Sequence, residues 1–319
     1  MKILVTGGAG FIGSHLVERL INLGHDVCVL DDFSTGSKKN LENISDRRTL
    51  DLIQGSVLDS ELVSNLVAKC DYVFHLAAAV GVFNIVQKPL QSLYINLTGT
   101  ENVLSAADNH SVPVLIASSS EIYGKNTSDS LSEDSDRILG NPLTLRWSYS
   151  EAKAIDESFA YAYHLEKSLE IRIARFFNTV GPRQLGAYGM VVPRFVSSAL
   201  ENSPITIYGS GEQRRCFIHV QDAVDALIGI AFSKDTIGRA INIGNSAEIS
   251  ILKLAEFIKQ RLNSTSEIVF LDYEEAYGNS FEDMQRRVPD IGLIRQLTGW
   301  EPQLSLEIIV DDIAKAMRP

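Results

Sequence analysis

Two side chains four residues apart, Tyr149 and Lys153, have the types and the spacing that suit proton exchange with a hydroxyl group. In a helix this spacing places both side chains on one face. A tyrosine with a pKa of about 10 is a poor base at neutral pH, but a nearby ammonium group favours its phenolate form. Ser119, in a run of three serines, could hold the same hydroxyl oxygen by a hydrogen bond. Because a lone Tyr-x-x-x-Lys pair also occurs on plain helix surfaces, its role depends on the elements that position it.

The first half of the chain alternates short apolar runs with amphipathic stretches. Predicted strands cover 2–6, 27–31, 52–54, 72–76, 114–118 and 170–176, and helical patterns lie between them. Such alternation predicts an α/β fold, a Rossmann-type doubly wound parallel sheet with helices on both faces. After about residue 178 glycines and prolines become frequent, and the later periodic segments predict a smaller C-terminal α/β substrate lobe. We therefore expect a cofactor domain over 1–178, rejoined by about 219–243, and a second lobe over 179–218 and 244–319.

The glycines Gly7, Gly10 and Gly13 join the first predicted strand to the first predicted helix. Gly7 can adopt the positive φ of a tight turn. Gly10 lets the backbone approach a pyrophosphate, and Gly13 lets the helix pack closely on the sheet. Phe11 and Ile12 open the helix, whose first N–H groups can bind phosphate. The position of the triplet between a strand and a helix indicates a dinucleotide site.

Asp31 lies at the end of the second predicted strand, where a carboxylate can accept hydrogen bonds from both adenosine ribose hydroxyls. It would repel a 2′-phosphate, so the expected cofactor is NAD rather than NADP, although Asp31 could instead cap its strand. Ser56 and Val57 follow the third strand and could flank adenine. Three residues after the fourth strand could line the cofactor path or simply pack, namely Leu76, Ala77 and Ala78.

The composition argues against several other classes of protein. The 319 residues carry 29 basic and 40 acidic side chains, a formal net charge of −11, without a run of basic residues, so nucleic-acid binding is not expected. Three dispersed cysteines without a Cys-x-x-Cys pair argue against a disulfide framework or a zinc site, and we expect no metal. No apolar run approaches the roughly 20 residues of a membrane span. These features predict a cytoplasmic protein with no membrane partner.

The chain resembles the extended short-chain dehydrogenase/reductase family, the NAD-dependent epimerases and dehydratases. The resemblance rests on Thr-Gly-Gly-Ala-Gly-Phe-Ile-Gly-Ser-His-Leu at 6–16, the Tyr149/Lys153 pair, Arg-Phe-Phe-Asn-Thr-Val-Gly-Pro-Arg at 175–183 and Tyr-Gly-Ser-Gly-Glu-Gln-Arg-Arg at 208–215. It covers nearly the whole chain. It implies NAD as the cofactor, a nucleotide sugar such as a UDP-sugar as the substrate, and a homodimer formed through two helices, about 99–110 and 148–167.

The resemblance also implies a set of substrate contacts. Asn178 would contact the substrate pyrophosphate, and Arg215 would pair with its phosphates, which suits the bidentate geometry of a guanidinium group. The residues expected around the base are Val191, Pro193 and Tyr208, and the other expected contacts are Ser120, Arg183 and Gln213. The residues alone leave further roles open, because Asn178 could cap a turn and Arg215 could form a surface ion pair.

Three places in the sequence bear on the reaction. Ser119-Ser120-Glu121 resembles the Thr/Ser-Ser-Glu of UDP-glucuronic acid decarboxylases, whereas 4,6-dehydratases usually carry Asp-Glu there and 4-epimerases usually lack the glutamate. Arg146-Trp147-Ser148-Tyr149 and the segment 277–290 also resemble decarboxylase stretches. In those enzymes an arginine that matches Arg287 reaches the sugar carboxylate. Phe281 departs from the usual tyrosine of that segment.

The sequence therefore predicts oxidation at sugar carbon 4 and decarboxylation of UDP-glucuronate to a UDP-pentose of the UDP-xylose type. Tyr149 and Ser119 would stabilise the enolate, and Arg287 would orient the carboxylate. Glu121 would lie near that carboxylate or act in proton transfer. The alternatives are a UDP-glucose or UDP-glucuronate 4-epimerase, a 4,6-dehydratase, and a non-catalytic NAD-binding regulator, which would be expected to lack Tyr149 or Lys153. Glu121 could also be structural, and Arg287 could form a salt bridge between the lobes.

Overall fold

A central sheet of seven strands organises the computed structural model, which describes residues 1–45, 47–79, 87–184, 186, 190–272, 284 and 286–318. The strands are β1 Lys2–Thr6, β2 Asp26–Asp31, β3 Leu50–Gln54, β4 Tyr72–His75, β5 Val114–Ser119, β6 Ile171–Phe176 and β11 Ala240–Ile243. They are all parallel, in the order β11-β6-β5-β4-β1-β2-β3. The predicted Rossmann-type α/β fold is confirmed.

Helices cover both faces of this sheet. They are α1 Phe11–Asn22, α2 Ser60–Val67, α3 Pro89–His110, α4 Ser148–Lys167, α6 Val220–Phe232 and α8 Gly292–Thr298. Successive side chains of a strand point to opposite faces. Ile3 and Val5 of β1 accordingly belong to the core shared with α1, α6 and α8, whereas Leu4 belongs to the core shared with α2, α3 and α4. This burial on both faces explains why the central strands are almost entirely apolar.

A third core lies in the later part of the chain. It packs α5 Val191–Glu201, α7 Ile251–Arg261 and α9 Leu306–Met317 around short strands. These are β7 Thr179–Val180 with β10 Ile218–His219, β8 Ile205–Tyr208 with β13 Ile268–Leu271, and β9 Arg214–Cys216 between β12 Glu248–Ser250 and β14 Arg286–Arg287. The parallel pairing of β9 with β14 places Arg215 opposite Arg287. The fold thereby brings two arginines that are distant in sequence into register.

The first helix expected to form the dimer is longer than the sequence pattern suggested. α3 begins at Pro89, about ten residues before the predicted start, with its proline in the first turn. Proline is favoured there because its missing N–H would lack a partner in the helix anyway. Among the described residues, no helix is long and apolar enough to cross a bilayer. That part of the chain also holds no group of three or more metal-ligating side chains.

Candidate active site

The glycine loop meets the steric requirements of a close turn against the sheet. Gly7 has a φ of 70°, and a Cβ there would lie 2.7 Å from the backbone nitrogen of Ala77. A Cβ at Gly13 would overlap the carbonyl oxygen of Gly7. Phe11 and Ile12 open α1 and pack against the first core. Within α1, all of which is described, no side chain caps the N-terminus and no carboxylate lies in the first turn, so its N–H groups can bind an anion.

Asp31 lies beside this loop at the carboxyl end of β2. Its Oδ2 accepts a hydrogen bond from the backbone N–H of Ala9 at 2.9 Å, and its Oδ1 accepts one from Phe33 at 2.8 Å. Burial raises the pKa of the carboxyl group, and these two N–H groups oppose that rise. A carboxylate oxygen has two acceptor sites, so each oxygen can still accept a ribose hydroxyl. The geometry suits the diol of an adenosine ribose.

The other residues expected to hold the cofactor lie at the same edge of the sheet. Ser56 and Val57 follow β3, where the Ser56 hydroxyl accepts a hydrogen bond from Leu58 at 3.2 Å and Val57 packs against Gly99. Leu76, Ala77 and Ala78 follow β4 and are half-buried. The N–H of Ala77 donates to the Thr6 hydroxyl at 3.2 Å. The structure thus brings these residues together at the carboxyl ends of β1 to β4, where such sheets bind ligands.

Ser119, Tyr149 and Lys153 meet at the carboxyl end of β5. Ser119 ends that strand, Tyr149 lies in the first turn of α4, and Lys153 follows one turn later. A hydrogen bond joins the side chains of Tyr149 and Ser119. Burial raises the pKa of Tyr149, the Lys153 ammonium lowers it, and the carboxylates of Glu121 and Asp156 raise it, so that it lies above its ordinary value. The phenol is therefore protonated at neutral pH before ligands bind.

Glu121 is held between two arginines. It lies in the turn Ser120–Tyr123 that follows β5. Its Oε2 accepts a hydrogen bond from Arg146 Nη1 at 2.5 Å, and its Oε1 accepts one from Arg287 Nη1. Burial acts to raise the pKa of Glu121, but the two guanidinium groups hold it well below its usual range. Because Glu121 stays ionised at neutral pH, the geometry favours a role in holding the arginines over a role as proton donor.

These three side chains carry a net charge of +1, since Arg146 and Arg287 contribute two positive charges and Glu121 one negative charge. Arg146 and Arg287 are only 7% and 9% exposed. A second hydrogen bond joins Arg287 Nη2 to Asn178 Oδ1 at 2.8 Å. The Glu121 carboxylate is close enough to Tyr149 to affect its pKa. Two buried guanidinium groups near Tyr149 suit an anionic ligand at this point.

The residues that are expected to contact the nucleotide lie on or next to the short strands and helices of the later part of the chain and in the turn that contains Glu121. Arg215 is opposite Arg287 in the short sheet, and Asn178 also donates from Nδ2 to the Cys216 carbonyl at 2.8 Å. Gln213 donates to the Tyr208 carbonyl at 3.0 Å. Val191 begins α5, and Pro193 lies in its first turn. The buried Ser120 opens the turn that contains Glu121.

Arg183 has its described partners on α1. With a φ of 70°, this residue reverses the chain direction after β7. Its guanidinium donates to the Ser14 hydroxyl at 3.2 Å and to the Glu18 carboxylate at 2.7 Å. Arg183 therefore lies beside the helix that is expected to hold the cofactor pyrophosphate, which suits a phosphate contact there as well as one to substrate.

Sequence reasoning missed three residues of this region. Arg146 was noted only as part of a motif, and its pairing with Glu121 spans 25 residues. Arg194 stacks on Tyr208, with 4.1 Å between the guanidinium carbon and the ring centroid, and no sequence pattern indicated it. Asp156 pairs with Lys153 at 3.1 Å, and its position three residues further along the helix could have revealed it. Phe281 and the rest of 277–283, with residue 285, lie outside the described residues.

Several known proteins resemble this chain over most of its length. The family model for the NAD dependent epimerase/dehydratase family matches residues 3–244. The chain is 40% identical over 307 residues to a UDP-N-acetyl-alpha-D-glucosaminuronate decarboxylase of Bacillus cytotoxicus, which covers 96% of this chain and 94% of that protein. It is 39% identical over 308 residues to UDP-glucuronic acid decarboxylase 1 of Xenopus tropicalis, over 96% and 69% of the two chains.

A solved structure shows the same architecture. The UDP-glucose 4-epimerase of Thermotoga maritima superposes with a TM-score of 0.89 at 28% identity, over 99% of this chain and 98% of that one. The fold and these comparisons thus define an enzyme. The chain belongs to the NAD-dependent epimerase/dehydratase family.

Proposed function

We propose that this enzyme decarboxylates a UDP-hexuronate, with UDP-glucuronate as the leading substrate, after NAD-dependent oxidation at carbon 4. The observation that carries the proposal is the sharing of Glu121 between Arg146 and Arg287. It holds two buried guanidinium groups together beside Tyr149, and the carboxylate of a uronate is a group that such arginines bind well. The names of the two decarboxylase relatives support the same substrate class.

The residues at the carboxyl edge of the sheet fit NAD. The N-terminus of α1 has no side-chain cap and no carboxylate in its first turn, which suits a pyrophosphate. The partly satisfied Asp31 carboxylate can accept the ribose hydroxyls and would repel a 2′-phosphate. Bound NAD would supply the redox chemistry, taking a hydride from carbon 4 and returning it at the end of the cycle. NAD-bound neighbours in the same family support this assignment.

The protein side chains would handle protons and charge. The Lys153 ammonium and the positive charge of a bound nicotinamide would favour loss of the Tyr149 proton to solvent. The resulting phenolate would then accept the proton of the carbon 4 hydroxyl while that carbon is oxidised to a ketone. The ketone is then β to the carboxylate at carbon 5, so the bond from carbon 5 to the carboxyl carbon can break and release CO₂. The bonding electrons move into the ketone as an enolate, which Tyr149 and Ser119 stabilise by hydrogen bonds. A proton from solvent adds at carbon 5 and regenerates the ketone. When carbon 4 is reduced, Tyr149 gives its proton back to the carbon 4 oxygen and becomes phenolate again.

Two alternative substrates or outcomes follow from the comparisons. The relative from Bacillus cytotoxicus is named for an N-acetylated uronate, so a 2-acetamido group is the first variation to test. The Thermotoga maritima neighbour is named as a UDP-glucose 4-epimerase. An epimerase would use the same Ser119, Tyr149 and Lys153. A UDP-glucose epimerase handles a neutral hydroxymethyl group, which does not need two arginines, whereas a UDP-glucuronate 4-epimerase could use them as a decarboxylase would.

Proton NMR of separate incubations with UDP-glucuronate, UDP-N-acetylglucosaminuronate and UDP-glucose tests this proposal. We expect a UDP-pentose signal from a uronate, and the nucleotide released on denaturing the enzyme should be NAD in either redox state. Turnover of only the N-acetylated uronate would move the assignment to that substrate. A galacto-configured product of unchanged mass would replace decarboxylation by epimerisation.

We further propose a homodimer formed through α3 and α4. These two helices pack against each other and expose large apolar side chains to solvent, among them Leu90 at 78%, Tyr94 at 60% and Leu165 at 65%. Such a patch is typical of an interface. Light scattering should give the mass of two chains, and Leu165→Glu should shift it toward one. A mass of one chain for the unaltered protein would contradict this proposal.

The proposed division of labour follows the predicted lobes, with NAD held by 1–178 and about 219–243 and the nucleotide sugar by 179–218 and 244–319. The position of β11 in the central sheet and the separate third core support it. Arg215, Asn178 and Tyr208 would then hold the nucleotide while Glu121 and its arginines hold the sugar. The three cysteines are buried and unpaired, which suits the cytoplasmic location expected from the sequence.

A further inference from the structure

A buried carboxylate on α4, Asp156, has no part in the chemistry described above. Its side chain is 1% exposed, and its Oδ2 accepts a hydrogen bond from Lys153 Nζ at 3.1 Å. Among the described residues, its second oxygen Oδ1 has no donor in strict hydrogen-bonding geometry, although the Thr100 hydroxyl of α3 is close enough to lower the pKa of Asp156. A buried carboxylate with so few partners lowers the stability of a fold unless it is compensated. Its presence next to a catalytic lysine therefore suggests a role in the reaction.

The other charges around Lys153 are already matched. The Glu157 carboxylate pairs with Arg175, with 2.7 Å between Oε2 and Nη2. Glu121 is shared by its two arginines. His75 of β4 is fully buried, and burial followed by the Lys153 charge lowers its pKa to about 3, so it is neutral. Its ring lies 3.2 Å from the Thr100 hydroxyl of α3. The Lys153 ammonium interacts with both the Asp156 carboxylate and the Tyr149 phenol.

We propose that Asp156 is a positioning residue of the reaction, whose carboxylate anchors the Lys153 ammonium so that one buried cation is shared between Asp156 and Tyr149. The pairing at a spacing of three residues holds Lys153 against the helix. Tyr149 lies one helical turn before Lys153. The ammonium group can then interact with Tyr149 while it stays paired with Asp156. The proposal rests on the proposed function only in requiring that Tyr149 exchanges a proton with the substrate.

The shared cation has a defined consequence for Tyr149. Burial acts to lower the pKa of Lys153, and Asp156 together with Tyr149 and Glu157 outweighs it, so that the pKa is raised. Asp156 also acts to raise the pKa of Tyr149. Lys153 and Tyr149 therefore titrate as a coupled pair. Removing the nearby anion makes loss of a proton from this pair easier, whichever of the two residues releases it. A tyrosine that must first accept and later return a proton needs this restraint on its acidity.

Asp156→Asn tests the proposal, because it removes the charge and keeps the shape of the side chain. The acid limb of the pH profile of kcat should move to lower pH by about one unit. The near-ultraviolet absorbance of the Tyr149 phenolate should rise at a correspondingly lower pH in the absence of substrate, measured against the same protein carrying Tyr149→Phe. Glu151→Gln is the matched control, since Glu151 lies on α4 two residues from Tyr149 but its side chain is 43% exposed. In this control, the acid limb of kcat and the pH at which the phenolate absorbance rises should both stay as in the unaltered protein.

The proposal would be overturned if, in Asp156→Asn, the acid limb of kcat and the phenolate titration both stay at the pH of the unaltered protein. It would also be overturned if both move to higher pH. If that variant does not fold, Asp156→Ser replaces it, because the smaller side chain leaves room for water to solvate the ammonium group, and the same shift is expected. The phenolate titration needs no turnover. A protein that acts on none of the tested sugars would therefore contradict the proposed function while leaving this measurement of Asp156 intact.

Discussion

Tyr149→Phe is expected to reduce kcat by about 10²–10⁴-fold with every sugar that the enzyme accepts, which is the usual contribution of a general acid–base group. The phenol ring stays in place, so its packing is kept. Only the hydroxyl that bonds Ser119 and lies near Lys153 is lost. Steady-state kinetics with the best substrate of the NMR assay measure the effect.

The loss should be confined to the chemical step. The free energy of unfolding should change by no more than about 1 kcal/mol, and the content of bound NAD should be unchanged. Tyr161→Phe is the matched control, because Tyr161 lies on the same helix but is 48% exposed. A Tyr149→Phe enzyme with near-normal turnover would invalidate the whole assignment of Ser119, Tyr149 and Lys153.

Arg287→Gln is expected to produce the second large effect, a selective loss of uronate turnover. Removing one partner of a buried charge pair costs about 2–5 kcal/mol, which corresponds to a decrease of about 30-fold or more in kcat/KM. The Glu121 carboxylate would retain Arg146, and the remaining pair would be neutral. The positive charge that is proposed to attract the substrate carboxylate would be gone. The measurement is kcat/KM for the uronate and for UDP-glucose.

The selectivity of the loss matters more than its size. Any activity on UDP-glucose, which has no carboxylate, should fall far less than activity on the uronate. Arg286→Gln provides the control, since Arg286 is the neighbouring residue of β14 but pairs with Glu248 and Asp129 at a partly exposed position. If Arg287→Gln lowers kcat/KM equally for the uronate and for UDP-glucose, Arg287 has only a structural role as a link between the lobes.

The sequence predicted the bounds of the first six strands of the central sheet to within two residues. β1 has the bounds that its apolar run indicated, and β2 begins one residue earlier than predicted. These strands and the glycine loop could be predicted because their patterns depend only on residues that are neighbours in sequence. The same holds for Tyr149 and Lys153, whose spacing on one helix fixes their common face.

The contacts that distinguish one reaction from another depend on residues far apart in sequence. Glu121 and Arg287 are separated by 166 residues. Arg287 is held in place by the pairing of β14 with β9 in the short sheet. No periodicity in the sequence predicts that contact. The sequence alone therefore left two roles open for Glu121, proton transfer or a structural ion pair. The structure adds Arg146 as the second guanidinium on the same carboxylate. The two contacts together hold both guanidinium groups at one carboxylate near Tyr149.

The most direct test of the central claim follows the fate of the substrate carboxyl carbon. UDP-glucuronate, or its N-acetylated analogue, carrying a heavy-carbon label at that position should release the label as CO₂ and bicarbonate at the rate at which UDP-pentose appears. Carbon NMR detects both species in one sample. A label that remains in a six-carbon sugar, while carbon 4 changes configuration, would contradict the account and identify the chain as an epimerase.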